Sequence, residues 1–329
     1  MKLILYLLIA INFVYCGKCP PKEIMHPCEC VNSSLDKSVS KLCKLWTQDM
    51  DTTELTHNIF ADITFKQFYG RGIQGIRYDA FGKSAFTITT FWCLSCQLQS
   101  FPQNMVHDVW KTLSTLVQVK SLSIGLNVNQ IPTYAIEPID KRESKLEKLT
   151  FYQRNNNVTI ERLAFGNLKN LKEIQFELMN IIKFKRSSLS HRSVSLKINF
   201  KQMNLDGDLF EKETFNGNKG SLDITFDSSN ITYLPESSFK SLLMDRRNTV
   251  EFYNKRSESR SNGIRIHLME SFIDCENCGN VWLITNSKQN QVINAFCKHN
   301  PSLKLFDTEN YLKLLKRCKS DDEEPDIIT

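Results

Sequence analysis

Cysteine is the residue type in this chain whose number and spacing most suggest chemistry. There are eleven. Cys16 falls in an apolar leader. The other ten form three groups: Cys19, Cys28, Cys30 and Cys43; Cys93 and Cys96; Cys275, Cys278, Cys297 and Cys318. Cys93-Leu-Ser-Cys96 has the spacing of a redox pair, and Cys275, Cys278, Cys297 and His299 have the donors of a zinc site. A redox pair sits at a strand-to-helix junction that lowers a thiol pKa. This segment reads instead as strand and turn, which suits a buried disulfide or two packed thiols. The terminal groups, four cysteines each, suit disulfides better than zinc if the chain is exported. No Gly-x-Ser-x-Gly, His-Glu-x-x-His or phosphate-cradling glycine loop occurs, and the six histidines are scattered at 26, 57, 107, 191, 267 and 299. The expectation is no catalysis, no cofactor and no metal.

Export is indicated by the first sixteen residues. Lys2 is a minimal positive region, Leu3 to Tyr15 is apolar apart from Asn12, and Val14 and Cys16 are the small residues before a cleavage near Gly17. The run is about two-thirds of the roughly 20 residues that span a bilayer, so residues 1–16 read as a signal peptide and no membrane span is expected. The C-terminal Asp-Asp-Glu-Glu-Pro-Asp-Ile-Ile-Thr ending has no hydrophobic tail for a lipid anchor. Asn32-Ser-Ser34, Asn157-Val-Thr159 and Asn230-Ile-Thr232 are N-glycosylation acceptors, consistent with a secreted, extracellular protein. Over 329 residues, 24% are charged and 41% hydrophobic, which excludes wholesale disorder and a small disulfide-only scaffold. A net charge of +6 without a dominant basic run gives no reason to expect nucleic-acid binding.

The elements that must position these residues show a period. Ile174-Gln-Phe176-Glu-Leu-Met179-Asn-Ile181, Ile198-Asn-Phe200-Lys-Gln-Met203-Asn-Leu205 and Ile224-Thr-Phe226-Asp-Ser-Ser229-Asn-Ile231 align without gaps. The frame also takes in Phe91-Trp-Cys93-Leu-Ser-Cys96, and extends to Ile63/Phe65, Ile124/Leu126, Leu149/Phe151 and Val250/Phe252. From residue 126 onward its second apolar position recurs at intervals of 25, 25, 24, 26 and 26. Phe81, Phe165, Leu189, Phe215 and Phe239 form a second series between the strands. Each unit makes one strand whose alternate residues point inward, and only stacked units bury a continuous core. A β-sandwich would have no reason to keep a constant interval between the two series.

This frame resembles leucine-rich repeats: L-x-x-L-x-L-x-x-N-x-L fits Leu171, Ile174, Phe176 and Ile181. The resemblance implies an α/β solenoid, a leucine-rich repeat horseshoe with a parallel sheet on its concave face and disulfide caps at both ends. It divides the chain into the signal peptide at 1–16, an N-terminal cysteine cap at 17–44, about eight repeats over 45–266, a C-terminal cap at 267–318 and an acidic disordered tail at 319–329. The caps resemble those of secreted members of the family, which implies the pairs Cys19–Cys30, Cys28–Cys43, Cys275–Cys297 and Cys278–Cys318, with Trp282 plugging the last repeat. Spacing alone leaves three connectivities for each group of four. The Cys-Pro-Pro opening and Cys96-Gln-Leu98-Gln-Ser-Phe101-Pro102 are also similar to arthropod secreted proteins of the Oplophorus-luciferin 2-monooxygenase non-catalytic subunit-like group. One departure stands out. The ninth frame position, usually a buried Asn that bonds the turn, holds Cys96, Met179, Met203 and Ser229. Asn180, Asn204 and Asn230 follow one place later, and a register shift would bring them inward.

The expected function is protein–protein recognition or scaffolding through the concave face, without catalysis. A non-catalytic stabilising subunit of a secreted enzyme is the alternative, and a secreted hydrolase or redox enzyme is the remote one. The outward residues of three strands alternate in charge: Glu173 and Glu177, Lys197 and Lys201, Asp223 and Asp227. Parallel pairing would align them as two ladders, with Lys197 close enough to reach both Glu173 and Asp223. These ladders are expected to hold register, and the uncharged aromatics Trp92, Tyr152 and Tyr253 to meet a protein partner.

Overall fold

The computed structural model describes residues 29–30, 42–46, 53–55, 66–71, 73–76, 80–98, 107–126, 128–137, 143–152, 157–245, 247, 249–253, 271–285, 292–293, 296–304 and 308–320. The leader at 1–16, Cys19, Cys28, Asn32 and the tail beyond Ser320 lie outside these residues, as do the side chains of Cys30, Cys43 and Cys96. The chain divides into two compact units, 1–128 with 136–149, and 129–135 with 150–329. Both are built on mostly parallel sheets.

In the first unit, Leu42–Trp46, Gln67–Arg71, Thr90–Leu98 and Ser121–Leu126 pair in parallel, each with its successor. Glu29–Cys30 pairs antiparallel with the first of them and brings the Cys30 and Cys43 backbones opposite one another. The inward residues come in facing sets: Phe68 opposite Phe91 opposite Leu122, and Gly70 opposite Cys93 opposite Ile124. The Phe68 and Phe91 rings stack at 4.9 Å, and Phe81 packs edge-on against them at 5.3 and 5.6 Å. Gly70 is required by this packing. A Cβ there would stand 2.5 Å from Ile73 Cδ1 and 3.2 Å from Cys93 Sγ. Helix His107–Thr115 buries Val109, Trp110 and Leu113, one face at helical spacing.

The second unit carries the regular stack. Glu173–Glu177, Ser195–Lys201, Ser221–Asp227, Thr249–Tyr253 and Val292–Ile293 pair in parallel in that order. Ile174, Ile198, Ile224 and Val250 share one register position; Phe176, Phe200, Phe226 and Phe252 share the other. Phe151, Phe176, Phe200 and Phe226 are fully buried and stack successively at 5.9, 5.6 and 5.2 Å. Phe165, Leu189, Phe215 and Phe239 of the second series are buried as well. Burial of each Phe contributes about 1.5–3 kcal/mol. Two shorter parallel sheets run through the same unit: Gln130–Ile131, Asn157–Ile160 and Asn180–Phe184; and Asn204–Leu205, Asn230–Ile231, Phe272–Ile273 and Phe296–Cys297, the last paired antiparallel with Asn300–Lys304.

The backbone repeats itself as the side chains do. Leu178, Gln202 and Ser228 each follow a strand with φ of 56°, 53° and 52°, and Leu163, Ser187 and Glu213 recur at 54°, 56° and 61°. The left-handed region costs an L-residue about 1–2 kcal/mol, so it persists only where the turn gains something in return. Five of these N–H groups donate to the next segment: Leu178 to the Lys201 carbonyl, Gln202 to Asp227, Leu163 to Ser187, Ser187 to Glu213 and Glu213 to Ser237.

Three sequence expectations change. Ile63 and Phe65 lie outside the described residues, and the strand opposite Phe91 and Cys93 is Gln67–Arg71, where Phe68 and Gly70 take the inward places. The frame at Ile124/Leu126 is displaced by one inward position, since Ile124, not Leu126, faces Cys93. Asn180, Asn204 and Asn230 do not turn inward. They are exposed, and Met179, Met203 and Ser229 are buried. The Met203–Ser229 turns close through hydroxyls instead. Ser229 Oγ accepts from the Met203 N–H at 3.1 Å and reaches the Phe200 carbonyl at 3.1 Å, while the Ser229 N–H donates to Ser271 Oγ, which donates to the Phe226 carbonyl.

Candidate functional site

The strand face that points away from the phenylalanine column is polar and ordered. Alternation within each strand sends Ile174, Phe176, Ile198, Phe200, Ile224 and Phe226 inward and leaves Glu173, Gln175, Glu177, Lys197, Asn199, Lys201, Asp223 and Asp227 partly exposed. The register sets Glu173 opposite Lys197 opposite Asp223, and Glu177 opposite Lys201 opposite Asp227.

Register does not close every pair. Lys201 Nζ stands 2.5 Å from Glu177 Oε1, with side chains only 22% and 14% exposed. Glu177 also accepts from Gln175 Nε2 at 2.8 Å. Lys197, by contrast, makes no ion pair with Glu173 or Asp223, although it was expected to reach both. Glu173 accepts from Asn199 Nδ2 at 2.9 Å. An exposed ion pair returns at most about 1 kcal/mol, so facing register alone does not hold Lys197 on a carboxylate. The face therefore has a closed half, Gln175–Glu177–Lys201, and an open half at Lys197 and Asp223.

The aromatics expected to meet a partner do not form one cluster. Trp92 belongs to the first unit, partly exposed, its ring edge-on to Tyr69 at 5.3 Å. Tyr152 and Tyr253 belong to the second, with the Glu173, Ser195 and Ser221 strands between them. Tyr152 is partly exposed, and the Tyr253 backbone faces Asp227.

The cysteines are disulfide-bonded where their side chains are described. Cys275 is bonded to Cys297 and Cys278 to Cys318, so the three thiolates a zinc site would need are consumed. The second bridge ties the turn Cys278–Asn280 to the helix Thr308–Ser320. Between the bridges, Asn280 accepts from the Leu234 N–H and donates to the Thr232 and Asp274 carbonyls. Trp282 is buried against this end and its Nε1 donates to the Leu234 carbonyl at 2.7 Å. Cys93 is buried and disulfide-bonded.

Two features escaped the sequence reading. Tyr233 lies against Gly207 and Gly279, where a Cβ on either would stand within 2.6 Å of its ring. Its hydroxyl donates to Asp208, which pushes the phenol up to about 12. Tyr233, Pro235, Lys240, Gly279 and Trp282 line an open groove of about 820 Å³. The only signal in the sequence was a pair of glycines far apart in number. The second is His191, fully buried, with Nδ1 2.8 Å from Ser193 Oγ. Burial drives its pKa down to about 4, so it is neutral at physiological pH. Among the described residues no group of three or more potential metal ligands gathers, and no helix is long and apolar enough to cross a membrane.

No protein-family model matches the chain, and no curated protein matches it.

Proposed function

We propose that the chain is a secreted leucine-rich repeat protein, a horseshoe closed by cysteine caps, that recognises a protein partner through the polar strand face of its second unit and has no catalytic activity of its own. The observation that carries this reading is the division of that face. Glu177, Gln175 and Lys201 satisfy one another, as a register-holding element would, while Lys197 and Asp223 sit opposed on adjacent strands without closing an ion pair. Unengaged charges of both signs, in a sheet that also carries a partly exposed tyrosine, Tyr152, on the strand next to Glu173–Glu177, suit a protein surface better than a small charged ligand. The in-register phenylalanine column supports the repeat reading, and the two C-terminal disulfides support an oxidising compartment. A secreted enzyme is one class of partner that this surface would serve.

The test is capture from the fluid into which the protein is released, with wild type, Lys197→Glu and Tyr152→Ala as baits and the fold of each checked by its melting transition. Both variants are expected to keep the fold and lose at least tenfold in partner recovery. Unchanged recovery by both would place recognition elsewhere.

A further inference from the structure

Asparagine forms an exposed row along the second unit, one residue beyond the buried positions Met179, Met203 and Ser229. Asn157 and Asn180 are register partners at the start of their strands, and so are Asn204 and Asn230. All four side chains are exposed, while the residue after each, Val158, Ile181, Leu205 or Ile231, is buried. The amides pair across strands: Asn180 Nδ2 donates to Asn157 Oδ1 at 2.5 Å, and Asn230 Nδ2 to Asn204 Oδ1 at 3.0 Å. Only Asn157 and Asn230 carry a threonine two residues on, Thr159 and Thr232.

We infer that Asn157 and Asn230 both carry N-linked glycans, and that this row is a sugar-covered edge distinct from the strand face that meets the partner. The inference rests on the secretion reading above. The co-substrate is a lipid-pyrophosphate oligosaccharide. The amide nitrogen attacks the anomeric carbon of the first sugar, the new N–C bond forms as the C–O bond to pyrophosphate breaks, the amide loses one proton, and the lipid pyrophosphate leaves. The folded row tolerates the product at both places. The Asn157 nitrogen is not the donor of its amide pair. The Asn230 nitrogen is, and it keeps one N–H after glycosylation. No core residue moves, because each strand sends its next side chain inward. The threonines differ. Thr232 Oγ1 accepts from the Gly207 N–H at 3.1 Å, so the hydroxyl that the transferase reads is engaged once this turn has formed, and Asn230 must be modified before the turn closes.

The experiment expresses the full chain in a secreting eukaryotic cell twice, once with its own leader and once with an unrelated cleavable leader. Released protein is treated with peptide N-glycosidase in heavy-oxygen water and mapped by mass spectrometry. Asn157 and Asn230 are expected to appear as heavy-oxygen aspartate, with Asn180 and Asn204 unchanged. Thr159→Ala and Thr232→Ala are each expected to remove one glycan's worth of gel mobility shift. A predominantly unmodified Asn157 or Asn230 peptide in protein released behind the unrelated leader overturns the proposal. Glycosylation behind the unrelated leader but not behind the native one upholds the acceptor sites and instead contradicts the secretion reading.

Discussion

The two units solve one packing problem with opposite choices. In the first, the large residue takes the earlier inward position, Phe68 facing Phe91, and the later one holds Gly70 and Cys93. In the second, the earlier position holds Ile174, Ile198 and Ile224 and the later one Phe176, Phe200 and Phe226. These strands fill their share of the interior with one bulky ring and one smaller partner, in either order, whereas Ser121–Leu126 fills it with Leu122 and Ile124. The lesson is that a ring is received at either inward position provided that the space beside it is matched, as close packing requires. It also locates the sensitivities. The second unit should suffer from deletion at the later position, the first from addition there.

The largest effect is expected from Phe200→Ala. The ring is fully buried, stacked on Phe176 and Phe226 and edge-on to Phe184 at 5.8 Å, so truncation leaves a cavity on several sides. Urea denaturation should show a loss of about 3–5 kcal/mol. A loss below about 1 kcal/mol would break the comparison, because it would mean that the later position is not a volume-bearing one.

Gly70→Ala is the mirror experiment in the first unit. The added methyl meets Ile73 Cδ1, Phe68 Cε1 and Cys93 Sγ within 3.2 Å, and the disulfide-bonded sulfur cannot swing away. The expected cost is about 1–3 kcal/mol. A neutral result would show that the first unit has slack that the second lacks.

Ser229→Ala removes the hydroxyl that stands in for a turn asparagine. It leaves the buried Met203 N–H without its acceptor and the Phe200 carbonyl without this donor, at an expected cost of about 1–3 kcal/mol. Ser229→Asn sharpens the point. If the ordinary frame residue can bond the same groups, it should recover part of the loss.

The smallest effect separates the halves of the polar face. Lys201→Glu places a third carboxylate beside Glu177 and Asp227 and should lower stability by about 1 kcal/mol, whereas Lys197→Glu, which breaks no ion pair, should change the melting transition by less. Equal losses would mean that the two rows are alike after all.

The parallel stack was legible because Ile-x-Phe recurs at a nearly constant interval with charges of alternating sign around it, and those residues occupy the positions that period gives them. The frame slipped at residues 65 and 126 for a physical reason. Phe68 comes before its small partner Gly70, and Leu122, Ile124 and Leu126 alternate with no ring to mark which two face Phe91 and Cys93. Phe184 and Phe210, stacked at 4.9 Å in the core, were invisible to the frame because they lie beyond the strand and turn that define it. The turn closure was half legible. Methionine at 179 and 203 showed that the usual amide was missing, but the Ser229–Ser271 relay depends on a contact between residues 42 apart in the chain. In the candidate site, register could be read and ion pairing could not. Register places Lys197 and Lys201 alike between two carboxylates, and the side-chain geometry that lets only Lys201 close on Glu177 is not written in the sequence.

The central claim is that the strands of the second unit are stacked in register, and a zero-length carbodiimide cross-link tests it most directly. Such a reagent joins only a lysine and a carboxylate already in contact. Mapping of the cross-linked peptides should recover Lys201 joined to Glu177, the pair at 2.5 Å, in clear excess over any product of Lys197 with Glu173 or Asp223. Recovery of Lys201 joined to Glu173 instead would mean a shifted register and would contradict the stack.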